Sequence, residues 1–292
     1  MARLSKDTVT LLRIPYSFNL LPVFLFALSQ CDHINVPHAW LSFFILHLLV
    51  YPASHGYNSY MDNDSGSIGG LKHPPKAGKE LIYVSLALDF AALALSWWIS
   101  WYFLTSVFFY ILASRAYSYR GIRLKRYPII GFFTVVFFQG FGVYSMTYFA
   151  CNISNEFVAV YPEYFYIPFV VSSVMVAGIY PLTQVFQHDA DARNDDYTLS
   201  MMLGYRGTFF FSTAMFLLSA LLLFVYFYDL GRLYDYFIFV VFLFPVLCFF
   251  FWWFRKVYYD ERQANYRYTM MMNAFSAGSM NAYFLLLIFL KP

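Results

Sequence analysis

Gly56-Tyr57-Asn58-Ser59-Tyr60-Met61-Asp62-Asn63-Asp64-Ser65-Gly66-Ser67-Ile68-Gly69-Gly70-Leu71-Lys72-His73-Pro74-Pro75-Lys76 marks where an apolar chain turns polar. Its first two residues close an apolar run, 39–57, long enough to cross a bilayer, and everything after them belongs in water. If the helix continues past Tyr57, Asn58 and Asp62 stand four residues apart and share one face. Gly66, Gly69 and Gly70 then end the helix and let the backbone turn, and Lys72 and Lys76 follow on a proline-stiffened loop. A second acidic stretch closes another apolar run four runs later: Gln184-Val185-Phe186-Gln187-His188-Asp189-Ala190-Asp191-Ala192-Arg193-Asn194-Asp195-Asp196-Tyr197-Thr198.

The composition around these stretches excludes a water-soluble globule. The 292 residues are 61% apolar, 24% aromatic and only 12% charged, with a mean hydropathy of +0.55. Soluble domains run near 45–50% apolar and about 25% charged, so the chain is a multi-spanning membrane protein. A net charge of +3 gives no ground for a nucleic-acid partner. The three cysteines, Cys31, Cys151 and Cys248, show no CxxC spacing, which excludes a disulfide framework and a cysteine zinc site. Cys31 and Cys151 both fall in loops on the outer side, where an oxidising compartment could pair them.

About 20 apolar residues are needed per crossing. Nine runs qualify, at 14–30, 39–57, 81–99, 100–114, 128–150, 164–186, 207–228, 235–254 and 271–290. The whole chain, 1–292, reads as one all-α membrane domain. The first run carries Pro15 and Pro22, which predict a kink. The third and fourth form one unbroken run, too long for one crossing, that is divided near Ser100. The basic start resembles a signal peptide, but no small-x-small cleavage site follows Ser29, so the first span is retained.

With nine spans, all but Arg232 and Lys291 of the 19 Lys and Arg fall on one side of the membrane, amino terminus included. That side is cytoplasmic by the positive-inside rule. The acidic stretches lie on the same side, in equivalent loops, which suggests a pseudo-repeat of four-helix units.

Charge chemistry narrows the function. At about 100° per residue Asp191 and Asp195 share one helical face, while Asp189 and Asp196 lie nearly opposite, so some of the four must sit past a helix end. Two carboxylates ~5 Å apart repel by roughly 3 kcal/mol at an effective dielectric near 20. If the two stretches meet, cations must stand between them. Mg2+ usually takes one or two carboxylates together with substrate phosphates, and Lys72, Lys76 and Arg193 suit a diphosphate.

At these residues the chain resembles the UbiA family of intramembrane prenyltransferases. Asn58 and Asp62 match that family's first aspartate motif, with Asp64 in place of its later acid, and Asp191 to Thr198 resembles its second. The segment Tyr117-Ser118-Tyr119-Arg120-Gly121-Ile122-Arg123-Leu124-Lys125-Arg126-Tyr127-Pro128 and the opening Arg13-Ile14-Pro15, Asn19 and Pro22 also resemble the family. Ser59 and Gly66 depart from it, each removing a potential ligand, and Lys72-His73-Pro74-Pro75-Lys76 replaces an arginine-proline segment.

The resemblance implies a UbiA-like bundle that moves an isoprenoid chain from its diphosphate to a small acceptor, aromatic or a quinone precursor. Asn58, Asp62, Asp191 and Asp195 are then catalytic, and Mg2+ is held within the set Asp62, Asp64, Asp189, Asp191 and Asp195. Lys72, Lys76, Tyr117, Arg120, Lys125 and Arg193 would bind the diphosphate. Arg13, Asn19, Asp89 and His188 are candidates for the acceptor: Asp89 because a mid-span carboxylate must face the bundle interior, His188 as a base for the proton lost on substitution. An aromatic wall for the allylic cation is available among 36 Phe, 27 Tyr and 6 Trp. No obligate protein partner is implied. The alternatives are a transferase of the same fold acting on phosphoribose or glyceryl phosphate, a cation-coupled transporter, and a non-catalytic scaffold.

Overall fold

The computed structural model describes residues 4–63, 66–152 and 163–291. They form nine long helices: α1 Lys6–Gln30, α2 Val36–Asp62, α3 Lys79–Ser96, α4 Trp101–Ser118, α5 Pro128–Cys151, α6 Tyr164–Thr183, α7 Leu199–Asp229, α8 Leu233–Tyr259 and α9 Tyr266–Phe289. Seven are long and apolar enough to cross a membrane. The other two, α3 and α4, have 18 residues each, or about 27 Å. Lys79, Glu80 and Asp89 in α3 and Arg115 in α4 further lower their hydropathy.

The long run between 81 and 114 breaks where Ser100 can cap a helix. Its backbone is extended, and its hydroxyl accepts the Phe103 N–H at 3.0 Å. The α1 kink lies at Arg13, whose φ of 48° is left-handed, followed by a 3-10 turn over Ile14–Leu20 that starts at Pro15. An extra turn, Lys6–Leu11, precedes it; Ser5 caps that turn, and Glu80 at the head of α3 accepts from Ser5 and Thr8. α7 begins eight residues earlier than its apolar run, with a break at Gly204 (φ 69°). The polar first turns are invisible to hydropathy, which explains both early starts.

α2 and α5 each contain a π turn, Phe44–Val50 and Val136–Gly142. In α2 this turn runs into Pro52, which lacks the N–H for a regular ladder. In α5 it holds Gly140 against the Ser173 backbone; a Cβ there would come within 2.5 Å of Ser173 Cα. That contact draws α5 and α6 close.

From α4 onward each helix packs on the next, and α9 returns to α1. α2 packs on α4, and α3 lies against both. Where α1 meets α5, away from the acidic stretches, the ring is plugged. Asn35 N–H donates to the Cys151 carbonyl at 2.7 Å and Asp32 N–H to Asn152 Oδ1 at 2.8 Å. Cys31 and Cys151 are both buried and free in this plug. Phe26, Tyr144, Tyr283 and Phe284 are fully buried and form its core. The interior therefore opens toward the end that carries the two acidic stretches.

Candidate active site

Both acidic helix ends are turned by left-handed residues rather than glycines. α2 stops at Asp62 because Asn63 takes φ 49°, a conformation Asn tolerates better than most side chains. The second stretch forms a short helix, His188–Arg193, that ends in a Schellman turn. The Asp196 N–H donates to the Asp191 carbonyl at 3.0 Å and the Asp195 N–H to Ala192 at 3.3 Å, with Asp195 at φ 56°. This turn decides which acid is used. It leaves Asp195 exposed and swings Asp196 inward, where it is 2% exposed. Asp195, expected in catalysis and metal binding, thus lies outside the cavity, and Asp196 takes its place in the lining.

Asp62 and Asp196 meet across a third element. Arg123, at φ 49°, starts a 3-10 turn, Leu124–Arg126, that directs Lys125 between the two carboxylates. Lys125 Nζ lies 2.7 Å from Asp62 Oδ2 and 2.9 Å from Asp196 Oδ2. Arg123 makes a two-pronged pair with Asp196 at 2.6 and 2.9 Å, and its Nη2 stands 3.6 Å from Asp62 Oδ1. Burial pushes the Lys125 ammonium down, but the two carboxylates outweigh it and hold the group above its ordinary value. The repulsion expected between the stretches is thus offset by cations of the chain itself. Asp62 Oδ1 remains buried with no hydrogen-bond donor.

These groups face a cavity of about 240 Å³ lined by Asn58, Asp62, Lys125, Asp191 and Asp196, together with Arg13 and Tyr117. Asn58 Nδ2 donates to Asp62 Oδ2 at 2.9 Å and to Ser118 Oγ at 3.1 Å, which fixes the carboxylate's orientation. Tyr117 is hydrogen-bonded to Tyr180. A second, mainly apolar cavity of about 240 Å³ adjoins the first, sharing Tyr16, Tyr51, His55, Gln139 and Tyr180 as its border; Asn19 lines only this second one. None of its lining residues is Lys, Arg, Asp or Glu.

Several candidates lie elsewhere. Lys72, Lys76, Arg193 and Asp189 are exposed and line neither cavity, since their loops run over the surface. Arg120 donates to the Met61 carbonyl at 2.9 Å and so caps the end of α2. Asp89 faces α4: Arg115 Nε donates to its Oδ2 at 3.0 Å and stacks over Tyr57 at 4.2 Å, a closed pair that accounts for the mid-span charge. His188 binds Ser200 Oγ at 2.8 Å and stacks on Tyr205, away from both cavities, and burial pushes its pKa down to about 4. Asp64 lies outside the described residues. The sequence reading missed Asp196, Arg123 and the aromatic border. For Asp196 the available signal was an Asn-Asp pair able to take the left-handed position that usually calls for glycine.

The acids suit a hard cation. Asp62 has a buried oxygen with no hydrogen-bond donor, and Asp191 lines the same cavity from the facing stretch. Among the described residues no three His, Cys, Asp or Glu converge into a ready-made cage, which accords with a cation that takes one or two carboxylates and completes its shell with substrate phosphate.

Residues 19–276 match the model of the UbiA prenyltransferase family. The fold is similar to that of a UbiA homolog from Archaeoglobus fulgidus bound to GPP and Mg2+, at a TM-score of 0.70 and 14% identity, over 98% of this chain and 100% of that one. The same homolog bound to DMAPP and Mg2+ gives the same figures. A digeranylgeranylglyceryl phosphate synthase structure is similar at a TM-score of 0.60 and 19% identity, over 97% of each chain. No curated protein sequence matches. With the match covering most of its length and the helical bundle in agreement, the chain belongs to the UbiA prenyltransferase family.

Proposed function

We propose that this enzyme transfers an isoprenoid chain from its diphosphate to an aromatic or quinone-precursor acceptor, with its polar end and amino terminus in the cytoplasm. One observation carries the reading: acids from two distant helix ends and the bases of the α4–α5 connection converge on one cavity that continues into an apolar, aromatic-bordered one. Asp62 and Asp191 would hold Mg2+, which when bound neutralises charge on the departing diphosphate, while Asp196 is held by Arg123 and Lys125. Lys125 and Arg123 add positive charge beside it, and Asn58 orients Asp62. Breaking the C1–O bond leaves an allylic cation, and Tyr16, Tyr51, Tyr110, Phe138 and Tyr180 present π faces to it. The plug between α1 and α5 keeps water out from the far side, which limits capture as the alcohol.

A transporter would keep an open acid near the midplane. Here Asp89 is paired with Arg115, and the other site acids lie at helix ends. The test is diphosphate release from geranyl, farnesyl and geranylgeranyl diphosphate with phenolic acceptors, with and without Mg2+. Asp62→Asn and Asp191→Asn should each lower release by about 10²–10³-fold, as loss of a single group that stabilises transition-state charge does. Release that is indifferent to Mg2+ and to both substitutions would overturn the reading.

A further inference from the structure

Three buried polar atoms have no hydrogen-bond partner: Tyr51 Oη and His55 Nδ1 at the border of the two cavities, and Asn273 Oδ1 in the lining of the apolar one. All three residues line the apolar cavity. Tyr51 and His55 are four apart on α2, on one face. Asn273 joins them through Tyr16: its Nδ2 donates to Tyr16 Oη at 3.3 Å, and the Tyr16 ring sits edge-on to His55, centroids 5.6 Å apart. Tyr16 itself is seated against Gly69 and Gly70, where any Cβ would come within 3 Å of its side chain. Arg13 donates to the His55 carbonyl at 3.2 Å. The border is therefore a held arrangement with spare hydrogen-bonding capacity. An isoprenoid chain has no group to use it, whereas leaving such atoms unsatisfied costs about 1–3 kcal/mol each.

Helical register relates this border to the diphosphate. His55 precedes Asp62 by seven residues on α2, nearly two turns and about 10 Å along the axis, with Asn58 between them on the same face.

We propose that this border seats the hydroxyl of an uncharged acceptor, and that the His55 imidazole takes the proton the acceptor loses. The inference rests on the prenyl-transfer reading above. As the C1–O bond breaks, its electron pair leaves with the diphosphate. An electron pair of the acceptor, from the ring or from the hydroxyl oxygen, forms the new bond to C1. The proton on the attacked atom passes to the imidazole lone pair, and the C–H or O–H pair returns to the acceptor. Tyr51 and Asn273 hold the hydroxyl. The apolar cavity has no cation to offset a carboxylate on the rest of the molecule.

The test compares wild type, His55→Gln and His55→Ala in detergent, given isoprenyl diphosphate, Mg2+ and matched acceptors that differ only in carrying a hydroxyl or an added carboxylate. Diphosphate release and prenylated product are measured separately. The expected result is that wild type favours the uncharged acceptor, and that His55→Gln loses product by about 10²-fold or more while still releasing diphosphate as prenyl alcohol forms. Imidazole restoring product to His55→Ala assigns the loss to the missing base. Equal product from His55→Gln, loss of diphosphate release along with product, or preference for the carboxylated acceptor overturns the inference and leaves the prenyl-transfer reading standing. No diphosphate release by wild type overturns both.

Discussion

Two buried ionic groupings in this molecule are built from the same residue types and do different things. In one, Asp89 and Arg115 close on each other between α3 and α4, with Tyr57 stacked on the guanidinium. In the other, Asp62 and Asp196 share Lys125 and Arg123 at the rim of a cavity that both acids line. The first neutralises a charge that the helix could not otherwise bury. The second gathers acids from distant parts of the chain and leaves them within reach of a ligand. What separates the two groupings is the cavity that Asp62, Lys125 and Asp196 line and that Asp89 and Arg115 do not.

That contrast can be broken experimentally. The largest effect is expected at Lys125. Lys125→Met removes the ammonium between two buried carboxylates, and prenyl transfer per folded molecule should fall by about 10²–10³-fold, beyond any loss of stability from leaving those acids without it. A fall in stability with transfer per folded molecule unchanged would make the cluster structural like the other pair. Because its carboxylate partners hold Lys125 above the ordinary ammonium value, its contribution to stability is complete at neutral pH and is lost only as pH rises through that raised pKa.

Asp89→Asn should show the opposite pattern. It leaves Arg115 buried without its countercharge, which typically costs about 3–5 kcal/mol. Thermal unfolding in detergent should shift down sharply, with transfer per folded molecule retained. The double substitution Asp89→Leu with Arg115→Met should recover most of the loss, since an apolar pair needs no desolvation. Loss of transfer at full stability in Asp89→Asn would return Asp89 to the site.

The smallest effect belongs to His188. Its folded pKa of about 4 lies below the ordinary 6.5, so it is neutral at pH 7 and its neutral form favours folding. That contribution is complete above pH 6.5 and is lost as pH falls toward 4. His188→Gln should flatten the acid side of a plot of Tm against pH and leave the pH profile of transfer between 6 and 8 unchanged. A displaced activity profile would place His188 in the chemistry.

Much of this was legible in the chain. The nine apolar runs and the break at Ser100 follow from bilayer thickness and helix rise. That Asn58 and Asp62 share a face follows from four-residue spacing, and the placing of both acidic stretches on one side follows from the sorting of charge. The choice between Asp195 and Asp196 was not legible, because periodicity describes a helix and the deciding feature is the turn that ends it. Nor were the roles of Lys72, Lys76, Arg120 and Arg193, since proximity in sequence to an acidic motif does not fix where a long cationic side chain points.

The sequence by itself determined that the chain is a helical membrane bundle with two acidic helix ends on one side. Hydropathy and helical period are local properties, and each segment carries its own. Packing alone puts Lys125 between Asp62 and Asp196, closes Arg115 on Asp89, and brings Tyr51, His55 and Asn273 into one cavity lining with unused hydrogen-bonding capacity. Those facts join residues from helices far apart in the chain. They are set by packing around the cavities and by two left-handed turns, and no periodic pattern in the sequence records them.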